Sequence, residues 1–324
     1  MIVAVAASPS IDVLYVVPEL RMGEIHRPVE VHRVAGGKGF NVARSARALG
    51  AELVAAGIVG GSSGQWLGRA LDREAIPYVL VDGAGETRTS VSVEARDGSG
   101  LTEFYEPATA VTQGEWSELA DVVARTVRAG GWLTVSGSLP PGAPPDAVAS
   151  LVRLAHQRDA RAAIDMHGPA LASALSARPD LVKVNHHEAA AHLGHAGAAR
   201  GDHADDDAVV AAAAVAVRAL LDACPAVVVT CGTRGAVAAT ASGPTLRAGL
   251  DAPGRYPVGS GDAFLGGLVA ALDDGQALPD ALRQATAAGA ANAALPGAGV
   301  LDPDRVRALV PEVRLSEMDV SISP

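Results

Sequence analysis

The chain has 324 residues, 49% hydrophobic and 19% charged, and a formal net charge of −10, which suits one large α/β domain or two smaller ones. The acidic balance, with aromatics at 3%, excludes both a basic footprint and a stacking platform for nucleic acid. Two cysteines, Cys224 and Cys231, exclude a disulfide scaffold and suit a reducing cytoplasm; Met1–Ala7 carries no basic leader, and no apolar run is free enough of polar residues to span a membrane.

Ile2–Ala7 reads as a buried strand, followed by the loop Ser8-Pro9-Ser10-Ile11-Asp12. Val13–Val17 and Val29–Val34 are β-rich, separated by a turn at Gly23. Gly36-Gly37-Lys38-Gly39 opens a helix, Phe40–Leu49, that stops at Gly50. Ala51–Val59 reads as a strand, Gly64–Glu74 as a helix and Tyr78–Val81 as a strand. Thr89–Ala95 sets Val91, Val93 and Ala95 against Ser90, Ser92 and Glu94; after the turn Asp97–Gly100 the chain returns along Leu101–Tyr105, so a hairpin with one wet face is expected. These β segments do not fit the buried parallel pattern elsewhere and read as a small separate sheet, a lid drawn from 13–34 and 89–105.

From Trp116 the units alternate. Helices are expected over Trp116–Ala129, Pro145–Gln157, Pro169–Leu175, His187–Leu193 and Ala208–Ala223; strands over Trp132–Ser136, Ala162–Asp165, Leu181–Val184, Ala226–Thr230, Gly235–Ala241 and Thr245–Ala248. Pro257–Leu272 follows, then helices over Asp280–Ala294 and Pro303–Val310. Repeated strand–helix units imply a mostly parallel sheet covered on both faces, in one domain over 1–314. Residues 315–324 read as a frayed tail, and Gly194–Asp207 as a solvated loop.

The densest chemistry lies in Gly259-Ser260-Gly261-Asp262. A glycine turn opening a helix aims unpaired N–H groups at one spot, where the helix dipole adds positive potential. A carboxylate beside that spot can take a proton while the amides receive a developing anion, the pairing a hydroxyl needs to attack a phosphoryl group. Taken alone, the turn is better explained as a merely capped helix start. Gly36–Gly39 lacks P-loop spacing, because Gly39 follows the lysine, and the first strand leads to Ser8-Pro9-Ser10 rather than a dinucleotide fingerprint. Lys183, Asn185 and Glu188 end a strand with groups suited to phosphate and hydrated Mg²⁺, or serve as plain polar caps. His187-Glu188-Ala189-Ala190-Ala191-His192 is one residue too long for a zinc helix motif, and His186, His195 and His203 read with it as solvated surface. Asp205-Asp206-Asp207 reads as a helix start.

Gly36–Arg44, Lys183–Glu188, Thr230–Gly235 and Val258–Phe264, in this order, resemble the PfkB family of ribokinase-like carbohydrate kinases. Thr87-Arg88, Ser136–Gly142 and Asn41-Val42-Ala43-Arg44 resemble its phosphosugar branch. The likeness runs from about Ile2 to Val310. It implies a three-layer α/β/α fold with a mostly parallel central sheet and a small β-sheet lid, and it implies ATP with Mg²⁺, a monovalent cation and a lid-mediated homodimer. Asp262 would be the base, with the amides of Gly259, Ser260 and Gly261 holding phosphoryl charge. Asp12, Gly37 and Asn41 would grip sugar hydroxyls; Lys38, Arg88 and Ser138 would serve the substrate and its phosphate. Lys183, Asn185, Glu188, Thr230, Gly232, Gly235, Gly289 and Asn292 would bind ATP, with Asn185 and Glu188 holding Mg²⁺ through water. The implied reaction is ATP-dependent phosphorylation of a phosphorylated ketohexose, fructose 1-phosphate to fructose 1,6-bisphosphate first, with fructose 6-phosphate and tagatose 6-phosphate as alternatives. A non-catalytic regulator on the same fold is the alternative of another class. Ser8 and Ser10 in the first loop, Val184 between Lys183 and Asn185, and Pro257 before the glycine turn depart from the family's pattern.

Overall fold

The structure, a computed structural model, describes residues 1–98, 100–194 and 206–319. His195, His203, Asp205 and most of the loop expected over Gly194–Asp207 lie outside the described residues. The amino-terminal half runs β1 (Ile2–Ala6), β2 (Ser10–Val17), β3 (Glu30–Gly36), α1 (Lys38–Ala48), β4 (Leu53–Val59), α2 (Gly61–Arg73), β5 (Tyr78–Asp82), β6 (Thr89–Ala95), β7 (Gly100–Tyr105), α3 (Gln113–Thr126), β8 (Trp132–Ser136) and α4 (Ala147–Gln157). There follow β9 (Arg161–Asp165), α5 (Gly168–Ser176), β10 (Leu181–Asn185), α6 (His186–His192), α7 (Asp206–Leu220), β11 (Ala226–Thr230), β12 (Ala236–Thr240), β13 (Thr245–Gly249), α8 (Ser260–Asp273), α9 (Leu278–Ala293), α10 (Pro303–Leu309) and β14 (Arg314–Met318).

Ten strands form one sheet in the order β14-β13-β12-β11-β10-β9-β8-β1-β4-β5. It is parallel from β11 to β5 and antiparallel from β11 to β14. Every residue of β1 is buried, as both faces of the sheet are covered. Alternation sends Ile2, Ala4 and Ala6 into the core under α1, α2, α8 and α9, and Val3 and Val5 into the core under α3, α4, α5 and α7. The chain leaves β1 toward β4 on one side and returns to β8 on the other. Sheets of this kind bind ligands in the crevice beyond the strand ends at such a reversal.

Helix α8 lies close against its neighbours because Gly266 and Gly267 carry no side chain. A Cβ on Gly266 would come within 2.8 Å of Val42 O on α1, and one on Gly267 within 2.8 Å of Ala288 Cβ on α9. That proximity is what brings the start of α8 to the start of α1.

Three sequence expectations change here. Ser10, Ile11 and Asp12, read as loop, begin β2 and pair with Gly36, Ala35 and Val34 of β3. Residues 315–318, read as tail, continue β14, whose Leu315–Met318 pair with Thr245–Ala248; the alternating polar residues belong to an edge strand. The hairpin's faces are also reversed. Ser90, Ser92 and Glu94 are buried in β6, while of the other set Val91 and Val93 are only half-buried and Ala95 alone is buried. The smaller sheet, β3-β2-β6-β7, turns this polar face toward the crevice.

Candidate active site

The crevice is a single cavity of about 950 Å³ between the ends of the parallel strands and the small sheet. At its centre is the start of α8. Gly259 has φ +80°, a left-handed conformation, and a Cβ there would lie 2.6 Å from Ala298 Cα; only glycine makes this turn without strain. Asp262 stands in the first helical turn and is 6% exposed. Gly261 faces Lys183, where a Cβ would sit 3.0 Å from Nζ. The N–H of Ser260 is already donated to Pro257 O at 3.1 Å. That corrects the expected trio of anion-holding amides, since this one is committed within its own turn.

Asp262 accepts a hydrogen bond on Oδ2 from Asn41 Nδ2 at 2.8 Å. The other end of the Asn41 amide accepts from Arg44 Nη1 at 3.0 Å. Each end of the amide has one protein partner, while the second N–H and the second oxygen lone pair are not used by them, so Asn41, which lines the cavity, holds Asp262 and keeps capacity for a sugar hydroxyl. Burial pushes the Asp262 carboxyl up to about 6; Lys38 opposes that, Asp165 adds to it, and Lys183 and Asn41 oppose it.

Asp165 ends β9 and Lys183 lies in the middle of the adjacent parallel strand β10, both on the face toward α8. Asp165 Oδ2 accepts from Lys183 Nζ at 2.8 Å, and its Oδ1 from Lys38 Nζ at 3.3 Å. Asp165 is fully buried. Burial alone would raise its pKa, but the two ammonium groups outweigh it and hold the carboxyl below its ordinary value. The same contact, chiefly, lifts Lys38 above the ordinary lysine value. One carboxylate thus holds two ammonium groups beside the helix start, where Asp262 and Glu188 also act on Lys38.

One end of the cavity is built by Asp12, Gly37, Arg88, Ser138 and Tyr105. Asp12 accepts from Ser10 Oγ at 2.6 Å. Burial raises its carboxyl, with Ser10, Arg44, the Gly37 N–H and Arg88 each pulling it back. The Arg88 guanidinium donates to Glu106 O at 3.2 Å and Ser8 O at 3.3 Å, while its buried Nε has no partner among the described residues. The other end is lined by Thr230, Gly232, Gly235 and Gly289, with Leu250, Pro253 and Ala293 forming apolar walls.

Two expected residues are not on the cavity wall. Asn292 is fully buried, and its Nδ2 donates to Gly297 O at 2.9 Å and Val300 O at 3.0 Å. It ties down the loop after α9, which corrects its assignment to the nucleotide. Glu188 lies behind Asn185 in a capping box: its Oε2 accepts from Asn185 N, and Asn185 Oδ1 accepts from Glu188 N, each at 2.9 Å. Glu188 Oε1 still reaches Lys38 Nζ at 3.7 Å. Among the described residues no three His, Cys, Asp or Glu side chains converge as a metal cage. A single carboxylate with an amide oxygen fits Mg²⁺, which keeps its waters and takes substrate phosphates as ligands; it does not fit a zinc site.

Asp165, Arg44 and Tyr105 are residues of this site that motif reading passed over. Asp165 carried a usable signal, a carboxylate ending an apolar strand, the same signal that singles out Lys183. Arg44 closes the Asn41–Arg44 motif but its contacts to Glu74 and Ala298 are distant in sequence, and nothing local in the sequence places Tyr105 at the cavity.

Residues 1–305 match the pfkB family carbohydrate kinase family. The chain is 36% identical over 299 residues to a 1-phosphofructokinase of Xanthomonas campestris pv. campestris, covering 88% of each chain. The phosphofructokinase-2 of Escherichia coli in complex with potassium superposes with a TM-score of 0.85 at 26% identity, covering 96% of this chain and 98% of that one. The same enzyme in complex with fructose-6-phosphate gives 0.83 at 27% identity over the same shares. The strand order, the glycine turn before Asp262 and the lysines facing it have the same explanation as these likenesses: the chain belongs to the PfkB family of carbohydrate kinases, enzymes that use ATP to phosphorylate sugars.

Proposed function

We propose that this kinase phosphorylates a ketohexose phosphate, with fructose 1-phosphate converted to fructose 1,6-bisphosphate. The observation that carries the reading is the position of Asp262. It is buried at the start of α8, with one carboxylate oxygen held by Asn41, in a cavity that runs from Arg88 to Gly289. The relative named 1-phosphofructokinase supports this acceptor. So does the unpaired Arg88 Nε at the sugar end, because a guanidinium fork matches a phosphate. Fructose 6-phosphate is the second reading, favoured by the complex solved for the Escherichia coli enzyme.

The acceptor hydroxyl gives its proton to Asp262, and its oxygen attacks the γ-phosphorus of ATP in line as ADP leaves. The amides of Gly259 and Gly261 and the ammonium groups of Lys38 and Lys183 meet charge on the transferring group. Asp12 and Gly37 orient the sugar, and Arg88 with Ser138 takes its phosphate. Thr230, Gly232, Gly235 and Gly289 border the nucleotide. Bound with ATP, Mg²⁺ neutralises phosphate charge; Asn185 and Glu188 would hold it through water. A monovalent cation is part of this reading, in keeping with the potassium complex of the neighbour.

A homodimer through the outer face of the small sheet also belongs to the reading, since Val31 and Phe104 are exposed there. A neighbour from Escherichia coli is described as a tetrameric inhibited form. No described helix is long and apolar enough to cross a membrane. Burial pushes the Cys224 and Cys231 thiols up to about 12 and about 11, so both stay protonated, and a cytoplasmic setting suits them.

A coupled ADP-release assay with MgATP tests the assignment against fructose 1-phosphate, fructose 6-phosphate, tagatose 6-phosphate, fructose, ribose and adenosine. The expected result is the highest kcat/KM with fructose 1-phosphate. Preference for an unphosphorylated acceptor would overturn the phosphate site at Arg88.

A further inference from the structure

Arg44 is buried on α1, 8% exposed, and its guanidinium uses every face. Nε and Nη2 grip Glu74 at 2.5 and 3.1 Å. Nη2 also donates to Ala35 O at 2.6 Å, at the end of β3. Nη1 donates to Ala298 O at 2.9 Å and to Asn41 Oδ1 at 3.0 Å. Ala298 is the residue against which the Gly259 turn packs. Its loop is strapped a second time by Ser45 Oγ, which donates to Gly299 O at 2.9 Å.

The chemistry of the bond to Asn41 is directional. A primary amide can present either its oxygen or its NH₂ to Asp262. Only the NH₂ suits a carboxylate, and the wrong orientation would set oxygen against carboxylate and NH₂ against guanidinium. Arginine is a donor at every nitrogen and has no acceptor. Placed at the far end of the amide, it admits only the oxygen there and so directs the NH₂ toward Asp262. Glu74 balances the buried charge and holds the fork in plane.

We infer that Arg44 is a positioning residue for the phosphoryl transfer, acting on Asp262 through the orientation it imposes on Asn41. The inference rests on the assignment of Asp262 as the base. The base keeps one oxygen pinned and the other free for the acceptor hydroxyl. A lysine in place of Arg44 keeps the charge but has no planar fork, so it does not serve Asn41, Ala298, Ala35 and Glu74 together.

The test is a double-mutant cycle of Arg44→Lys and Asn41→Ala, with turnover expressed per nucleotide-binding site counted by ATP titration calorimetry. Arg44→Lys alone is expected to lower kcat about 10- to 100-fold, the loss that misplacement of a reacting group produces, with KM for ATP within about twofold. In the Asn41→Ala background the same substitution is expected to change kcat by less than about threefold, because the pathway is already cut. Equal losses in both backgrounds would overturn the inference, as would an unchanged kcat in Arg44→Lys. Failure of both variants to bind ATP would also overturn it, making Arg44 a folding residue only. Basal ADP release without sugar, with water as acceptor, is run through the same cycle. A wrong sugar assignment then shows as wild-type silence on the phosphosugars, whereas a wrong role for Arg44 shows as additivity in the cycle.

Discussion

Oδ2 of Asp165 accepts from Nζ of Lys183 at 2.8 Å, where the end of β9 lies beside the middle of β10 under the start of α8. The second oxygen of the same carboxylate holds Lys38, which arrives from α1. Long flexible ammonium side chains lose rotamer freedom when they are held to one place, and here one buried anion holds both before any phosphate is bound.

Asp165→Asn therefore leaves two ammonium groups facing each other without their shared partner. Breaking a buried pair from one side costs about 3–5 kcal/mol in a fully buried setting. Lys183 is buried but the Lys38 side chain is 34% exposed, so the low end applies. Urea unfolding is expected to show a loss near ~3 kcal/mol, and the variant's KM for ATP should rise. An unchanged midpoint together with an unchanged KM would remove Asp165 from both roles.

The pH–rate profile should carry an acid limb set by Asp262. Its carboxyl is raised to about 6 by burial, and the base works only when ionised. The kcat/KM for the sugar is expected to fall about tenfold per pH unit below that value. A profile that stays flat down to about pH 5 would remove Asp262 as the titrating base.

Asp262→Asn should lower turnover by about 10²- to 10⁴-fold, the range for losing a general base, while nucleotide affinity is retained. The same variant should be more stable at neutral pH. The folded-state pKa lies above the ordinary 3.8, so the native protein takes up a proton between about 4 and 6 that the unfolded chain does not. Ionising the group above that window costs stability, on the order of 3 kcal/mol, and asparagine removes the cost. Thermal melts at pH 7 should therefore favour the variant, and the advantage should vanish as pH falls through about 4. A destabilised variant at pH 7 would contradict this.

Arg88→Ala is expected to raise KM for a phosphorylated sugar about 10- to 100-fold, equivalent to losing charge-assisted hydrogen bonds of ~1.5–3 kcal/mol, and to leave KM for ATP unchanged. Steady-state kinetics with each substrate varied in turn checks this. A matching rise for ATP would place the guanidinium at the wrong end of the cavity.

Much of the secondary structure was legible because its signals are local. Trp132–Ser136 and Ala226–Thr230 are apolar runs with turn residues at both ends, and they form strands over those same residues. The hairpin shows where such reasoning stops. Alternation in Thr89–Ala95 tells which residues share a face, but not which face the protein covers. Here the serine side turns to the cavity and the valine side outward. Arg314–Met318 was missed because an edge strand with a solvated face reads as tail.

By itself the sequence determined the order of the strands and helices up to α10, the glycine turn that starts α8, and the choice of Asp262, Lys38 and Lys183 as chemical groups. These follow from backbone preferences and residue chemistry acting over a few positions. Only the tertiary structure decided which groups meet. Asn41 meets Asp262 across 221 positions, Arg44 meets Ala298 across 254, and Lys38 meets Asp165 across 127. It also took Asn292 off the cavity wall and committed the Ser260 amide to Pro257. The physical reason is that a hydrogen bond between distant residues depends on how the sheet and its helices pack, and that packing is decided by the core as a whole rather than by the residues that use it.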